Sequence, residues 1–440
     1  MKGNPVRRNA LLAALLALLV GGLSPLAADD GLTLAQTRTL ALAQSRTLQI
    51  ALAAVDTATI DERLQGFKLL PSISTTASAK AGVPWTSLQD SLNASLGVSV
   101  TQVLFDGGAS VLSAIDSIAT SAARAQARSQ YFAVLDTADA TYYAAAKASA
   151  AVEAAQSDLD SALASQAVAQ AKLDAHMISA VAFLEQQATV VSKQAALVGA
   201  QGALSVALRT LASLTGLSLP LTLAPMEGAT SADAVMQRFT ALSDAQVDSL
   251  VAKIAEAAAK SNPSIAEAQL ASQIAQKTVD YARAAYLPSV SASLNGGLGV
   301  SGGLSGTLAI TASLPLDLWN TQATVESRQI AARQAALKLA ETQRTATISI
   351  QQAVYDSISS ARSASSSQAA LDYAERFYQG VQEQYRLSTA SSADLADAAL
   401  LVSTNRATRI SSYYQFLGNL STLRSLAGFE SDELLLALVP

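Results

Sequence analysis

The chain has 440 residues, a formal net charge of −5 and only 14% charged residues, which leaves no basic surface for nucleic acid. Half of it is hydrophobic but only 5% is aromatic, and much of the apolar share is alanine; that suits thin, closely packed helices better than a thick globular core. Cysteine is absent, which excludes disulfide staples and lipidation on cysteine.

The first element reads as an export signal. Lys2, Arg7 and Arg8 precede the apolar run Ala10 to Leu19, and small residues lead to Ala28 before Asp29-Asp30. The run is short for a transmembrane helix. Residues 1–28 are therefore read as a signal peptide; an uncleaved anchor is the competing reading. Cleavage near Ala28 removes three bases and no acids, taking the net charge from −5 to −8. No later segment has 18 uninterrupted apolar residues, so no helical span is expected.

Residues 29–221 follow as a first repeat. A helix is expected over about 33–68, then two strands within about 71–104. In LNASLGVSV the residues Leu92, Ala94, Leu96, Val98 and Val100 alternate with small or polar ones. A helical hairpin over 108–215 comes next, turning at His176-Met177-Ile178-Ser179. Its returning arm has apolar residues at heptad-like spacing, Leu197, Leu204, Leu208 and Leu211. Residues 222–243, flanked or occupied by Pro220 and Pro225, read as a linker.

A second repeat, 244–430, has the same grammar. Its helix (about 244–286) is interrupted at Ser261-Asn262-Pro263. Two strands follow within about 288–316, then a hairpin over 320–427 turning between Leu387 and Ser392. Residues 431–440 form a tail. The repetition is visible in residues: LASLTGL at Leu211 matches LRSLAGF at Leu423, an offset of 212, and LLPSIS at Leu69 matches YLPSVS at Tyr286, an offset of 217. The change of offset places five extra residues between the strands of the first repeat, in a loop.

Strands with one apolar and one polar face fit a tilted bilayer crossing, apolar side to lipid and polar side to water. Four strands cannot close a barrel, and open edges in lipid are not tolerated. Several chains must therefore share one barrel, and three would give twelve strands; two or four are equally permitted. The expected fold is mixed: a long α-helical coiled-coil barrel plus a membrane β-barrel shared between subunits, with two internal structural repeats.

With these features in order, the chain resembles the TolC-like outer membrane efflux proteins. The resemblance is carried by Asn262 to Ser291, the VLFDGG strand exit (Val103 to Gly108), the twofold repeat and Tyr385 to Leu401. It implies a homotrimer in the outer membrane with a periplasmic tunnel, working with a periplasmic adaptor protein and an inner-membrane pump. It also implies that Asp394 and Asp397 ring the closed end of the tunnel. Positions i and i+3 do share a helix face; a helix-capping role for such an Asp is the bland alternative. The turns His176, Met177, Ile178, Ser179 and Tyr385, Leu387, Ser388, Thr389 would be the tip and adaptor contacts. Two departures stand out. His176 and Ser388 occupy turn positions that are often glycine in the family. Tyr385 matches a Tyr of the family's tip lock, but the lock's Arg position is Ala390 and its partners match Val181 and Ala182, so that lock cannot form.

Other signals are set aside. Gly297-x-Gly299-x-x-Gly302 fits a dinucleotide fingerprint but joins two alternating segments and opens no helix. His176 is the single histidine, which gives neither a metal cluster nor a catalytic triad, and no cofactor is indicated. Trp85 and Trp319 sit at strand ends, suited to interface girdles or to ordinary packing. The expected function is a passive export channel for drugs or other small molecules. A protein-secretion conduit and a poreless periplasmic coiled coil are the alternatives.

Overall fold

The computed structural model describes residues 31–68, 70–81, 92–224, 229–299, 304–314 and 317–439. The segment read as a signal peptide, Trp85, Pro225, Gly302 and the five extra residues read as a loop in the first repeat lie outside them. In chain order the elements are α1 (Leu34–Gln44), α2 (Arg46–Phe67), β1 (Ser72–Ala81), β2 (Leu92–Asp106), α3 (Ala109–Asp174), α4 (Ala180–Thr215), α5 (Ala229–Ala241), α6 (Asp244–Ser261), α7 (Pro263–Ala284), β3 (Ser289–Gly299), β4 (Leu304–Ser313), α8 (Leu318–Arg386), α9 (Ser392–Ala427) and α10 (Asp432–Leu436).

The chain divides into two compact units that cut across the sequence repeats. One holds residues up to Leu48, Tyr131–Asn262 and Ala346 onward; the other holds Gln49–Gln130 and Pro263–Thr345. Each takes matching pieces of both repeats.

The second unit contains the sheet. Its strands lie in the order β1-β2-β3-β4, all antiparallel, so β1 and β4 are open edges. Register places Ile73, Val100, Leu294 and Leu308 in one row across the sheet, and Ala77, Leu96, Leu298 and Leu304 in another. Facing residues share a side, so these rows make one apolar face, and Ile73, Leu294 and Leu308 on it are exposed. The opposite face carries the row Ser74, Ser99, Asn295, Thr307. Gly297 and Gly299 belong to β3, not to a helix start.

The FDGG exit has a steric reason. A Cβ on Gly107 would lie 2.5 Å from Leu287 Cβ, and one on Gly108 would lie 2.8 Å from the Tyr281 ring. The Gly108 N–H donates to Asp106 Oδ1 at 2.9 Å, closing the turn into α3. Nearby, Thr120 on α3 donates to Glu62 Oε2 on α2 at 2.9 Å.

The first unit is helical. Its main core joins α5, α6, α8, α9 and α10 around Phe239, Ile254, Val354, Phe416 and Leu423. In the α4 arm Leu197 and Leu211 are buried, while Leu204 and Leu208 are partly so. Gly216 and Gly428, 212 residues apart, both cap their helices at φ 72°.

Three local expectations are corrected. The helix expected over 33–68 is broken at Ser45, which is extended (φ −69°, ψ 108°) and whose hydroxyl accepts the Leu48 N–H at 3.2 Å. Ser45 lies 217 residues before Asn262, the break in the second repeat, where Pro263 advertised it. Two of the four unit boundaries, Leu48/Gln49 and Asn262/Pro263, fall beside these breaks. The segment 222–243 read as a linker carries α5, whose Phe239 is fully buried against Phe416 in an edge-to-face pair at 5.9 Å. The tail carries α10, whose Leu435 is likewise buried.

Candidate functional site

The two hairpin turns are built alike. α3 ends with Met177 N–H donating to Lys172 O and His176 N–H to Leu173 O; α8 ends with Thr389 N–H donating to Gln384 O and Ser388 N–H to Tyr385 O. These are Schellman closures, with His176 (φ 56°) and Ser388 (φ 63°) in the left-handed region that usually takes glycine. Ser179 and Ser391 then cap α4 and α9.

Asp394 sits in the first turn of α9 and is part of the cap. Its Oδ2 accepts from Ser391 Oγ at 2.7 Å and from the Ser391 N–H at 2.9 Å, while its own N–H donates to Ser391 Oγ. The Ser391 hydroxyl, then its backbone N–H, hold the Asp394 carboxyl below its usual range. Asp397, one turn on, is exposed. The helix start therefore presents two carboxylates, one engaged in a cap and one facing solvent. The first repeat has Ala182 where Asp394 stands, so its cap lacks the reciprocal half.

Tyr385 is 3% exposed, which corrects the expectation that it forms part of the contact surface: it supports the turn from beneath. Its partner is a residue that sequence reading missed. The Lys172 ammonium lies over the Tyr385 ring, 4.0 Å from the centroid, and donates to the Tyr385 carbonyl. Burial pushes the Lys172 ammonium down and the Tyr385 hydroxyl up. A second tie between the hairpins runs from Ser392 Oγ to Glu185 Oε2 at 2.8 Å. By contrast Met177 and Leu387 are 60% and 62% exposed, on the matching turns.

Between α3, α4, α8 and α9 lies a cleft of about 910 Å³ with an ionic node on its wall. Asp158 accepts from Lys193 at 3.2 Å and from Arg406 at 2.7 Å; Arg406 also reaches Glu375 at 2.9 Å, and the Ser403 hydroxyl donates to Asp158. A deeper node joins Arg38, Asp139, Arg424 and Asp432. Arg38 grips Asp139 at 2.6 and 2.8 Å, and fully buried Arg424 donates to the same carboxylate at 2.8 Å. Neither node repeats in sequence: Ala212 stands where Arg424 has its counterpart, and Ala370 where Asp158 has its own. A reading led by the repeat passed over them.

Strands with an exposed apolar face and two open edges, in one chain with long helical hairpins, define a subunit of a membrane channel. The model of the family described as "Outer membrane efflux protein" matches residues 37–217 and 254–429. A search of curated proteins finds no match. Among solved structures the fold is similar to CusC (18% identity, 93% of this chain and 96% of that one, TM-score 0.76). It is also similar to VceC of Vibrio cholerae (17%, 90% and 96%, 0.73) and to the MtrE outer membrane channel of Neisseria gonorrhoeae (16%, 91% and 90%, 0.72). The chain belongs to the outer membrane efflux protein family. It is an outer membrane channel protein with a large periplasmic portion, and not an enzyme.

Proposed function

We propose that three copies share one twelve-stranded barrel and form the outer-membrane conduit of a tripartite pump. It would carry small molecules passively from the periplasm to the exterior, with a periplasmic adaptor and an inner-membrane pump supplying energy and direction. The observation that carries this is the sheet itself: one face apolar and exposed, both edges unpaired, so that lipid and neighbouring copies are its natural partners. A second observation supports it. α4 is long and apolar enough to cross a membrane by length and composition, yet only 17% of its most apolar window is buried. Its exposed Val181, Leu184, Val191 and Val198 offer a seam for neighbouring copies. At the turns, the exposed Met177, Leu387 and Thr389 with His176, Ile178, Ser179 and Ser388 are the proposed adaptor contacts, and Tyr385 holds their base.

Fractionation followed by the native mass of the detergent-extracted particle tests the assembly. Outer-membrane material at three chain masses is expected; a soluble periplasmic monomer would sink the reading. We further assign Asp394 and Asp397 as the carboxylates of the tunnel's constriction, six to a trimer. Asp394→Asn with Asp397→Asn should then weaken block by divalent cations in single-channel recordings. Unchanged block would put both groups off the axis.

A further inference from the structure

The two helical hairpins are close copies of one another. α3 and α8 end 212 residues apart, at Asp174 and Arg386, and α4 and α9 match end for end at the same offset, Ala180–Thr215 against Ser392–Ala427. Tyr131–Asn262 and the segment from Ala346 onward share one compact unit, and within it the hairpins meet flank to flank. Three contacts define the fit. Asp158 on α3 accepts from Arg406 on α9 at 2.7 Å and from the Ser403 hydroxyl. The Ser165 and Tyr378 hydroxyls, on α3 and α8, lie 3.4 Å apart. Buried Lys172 donates to the Tyr385 carbonyl.

Each hairpin has a second flank that this fit leaves open, and the 212-residue offset names it. Asp158, Ser165 and Lys172 are matched by Ala370, Phe377 and Gln384; Ser403, Tyr378 and Arg406 are matched by Val191, Gln166 and Gln194. Covered positions become open ones. Ser165 is 6% exposed and Phe377 55%, and part-buried Ser403 is matched by Val191 at 65%. The sizes are exchanged. Inside the copy a small side chain on α3, Ser165, meets a large one on α8, Tyr378; on the open flanks the large one is Phe377 on α8 and the slimmer one Gln166 on α3. The charges are lost: Asp158, Lys172 and Arg406 are matched by an alanine and two glutamines.

Hairpins that pack by one geometry inside a copy can pack by the same geometry outside it, and a contact between unlike flanks closes into a ring when its rotation does. We propose that a second copy occupies the open flank in this way: Phe377 of one copy is seated on Gln166 of the next, and Ala370 on Val191. This seam between copies is apolar and amide where the seam within a copy is ionic, so the ion pair that fastens Asp158 to Arg406 is private to the single chain. The inference rests on the three-copy reading above and adds which flanks meet and by what chemistry.

The chain has no cysteine, so introduced ones report cleanly. Two distinguishably tagged full-length copies, one Phe377→Cys and one Gln166→Cys, are expressed together, and their outer membranes are treated with a short bifunctional maleimide. A covalent species of two chain masses carrying both tags is expected; one chain with both substitutions should shift onward to three chain masses. Val191→Cys with Ala370→Cys tests the second contact, and serves if the Phe377 variant does not assemble. Particles of three chain masses that give no mixed cross-link at either pair would overturn the proposal. Phe377→Cys linking to itself would do so too, because it puts like flanks together, as would its linking only to a protein other than a second copy. A native mass other than three chains would instead remove the three-copy reading.

Discussion

His176 and Ser388 hold the same left-handed backbone in matching turns, without the glycine that makes it easy. Such a conformation costs a side-chain-bearing residue about 1–2 kcal/mol. His176→Gly and Ser388→Gly should each raise stability by about 0.5–1 kcal/mol, part of the gain being offset by the freer unfolded chain; thermal unfolding in detergent reads this. If their side chains form part of the adaptor contact, the same variants will be more stable yet export less. Asp136 makes a pH-dependent case. Burial raises its pKa, only partly countered by the Ser425 hydroxyl and by Arg424. Its folded pKa therefore exceeds its unfolded one, and the charged form penalises the fold as pH rises through the folded value. Asp136→Asn should accordingly stabilise the protein at pH 7, with the advantage vanishing below about pH 4. An advantage that persisted in acid would mean that the charge is not its cause.

At the scale of elements, the four-helix node makes the sharpest prediction. Asp158→Ala leaves Lys193 and Arg406 facing each other across a part-buried gap, and should cost about 1–3 kcal/mol. Removing Arg406 with it should recover part of that loss, a coupling that a double-mutant cycle measures. The elements also show what the sequence could disclose. Strands were legible because alternation reports two different environments directly: Leu294 and Leu308 against Asn295 and Thr307. The Gly216 and Gly428 caps were legible as a repeated motif. The break at Ser45 was not, because serine is compatible with a helix interior and only Pro263 in the other repeat signals it. Helix α5 hid behind Pro220 and Pro225, its burial resting on Val235 and Phe239 with Leu242 just past its end, too few apolar positions for a clear period. The candidate site was half legible. Asp394 and Asp397 stand out by spacing. Lys172, by contrast, meets Tyr385 from 213 residues away, in a segment where a lysine reads as an ordinary solvated side chain.

For the whole molecule, the decisive feature is that neither compact unit belongs to one stretch of chain. Arg38 and Asp139 of the first repeat, Arg424 of the second and Asp432 of the tail close one unit. Deleting residues from Asp432 onward withdraws a carboxylate from two arginines and uncovers the fully buried Leu435 site. We expect such a truncation to lower the yield of assembled protein in the outer membrane more than Asp432→Asn does. Equal yields would mean that α10 is dispensable. The interleaving also has a consequence for biogenesis. The helical unit is incomplete until the segment from Ala346 onward arrives, and the sheet unit until Pro263–Thr345 does. A nascent chain that has emerged only as far as α4 owns two of the four strands and none of the helices that build the main helical core. Its first two strands therefore wait for β3 and β4, and its first helices for the elements of the main core, until the later segments follow.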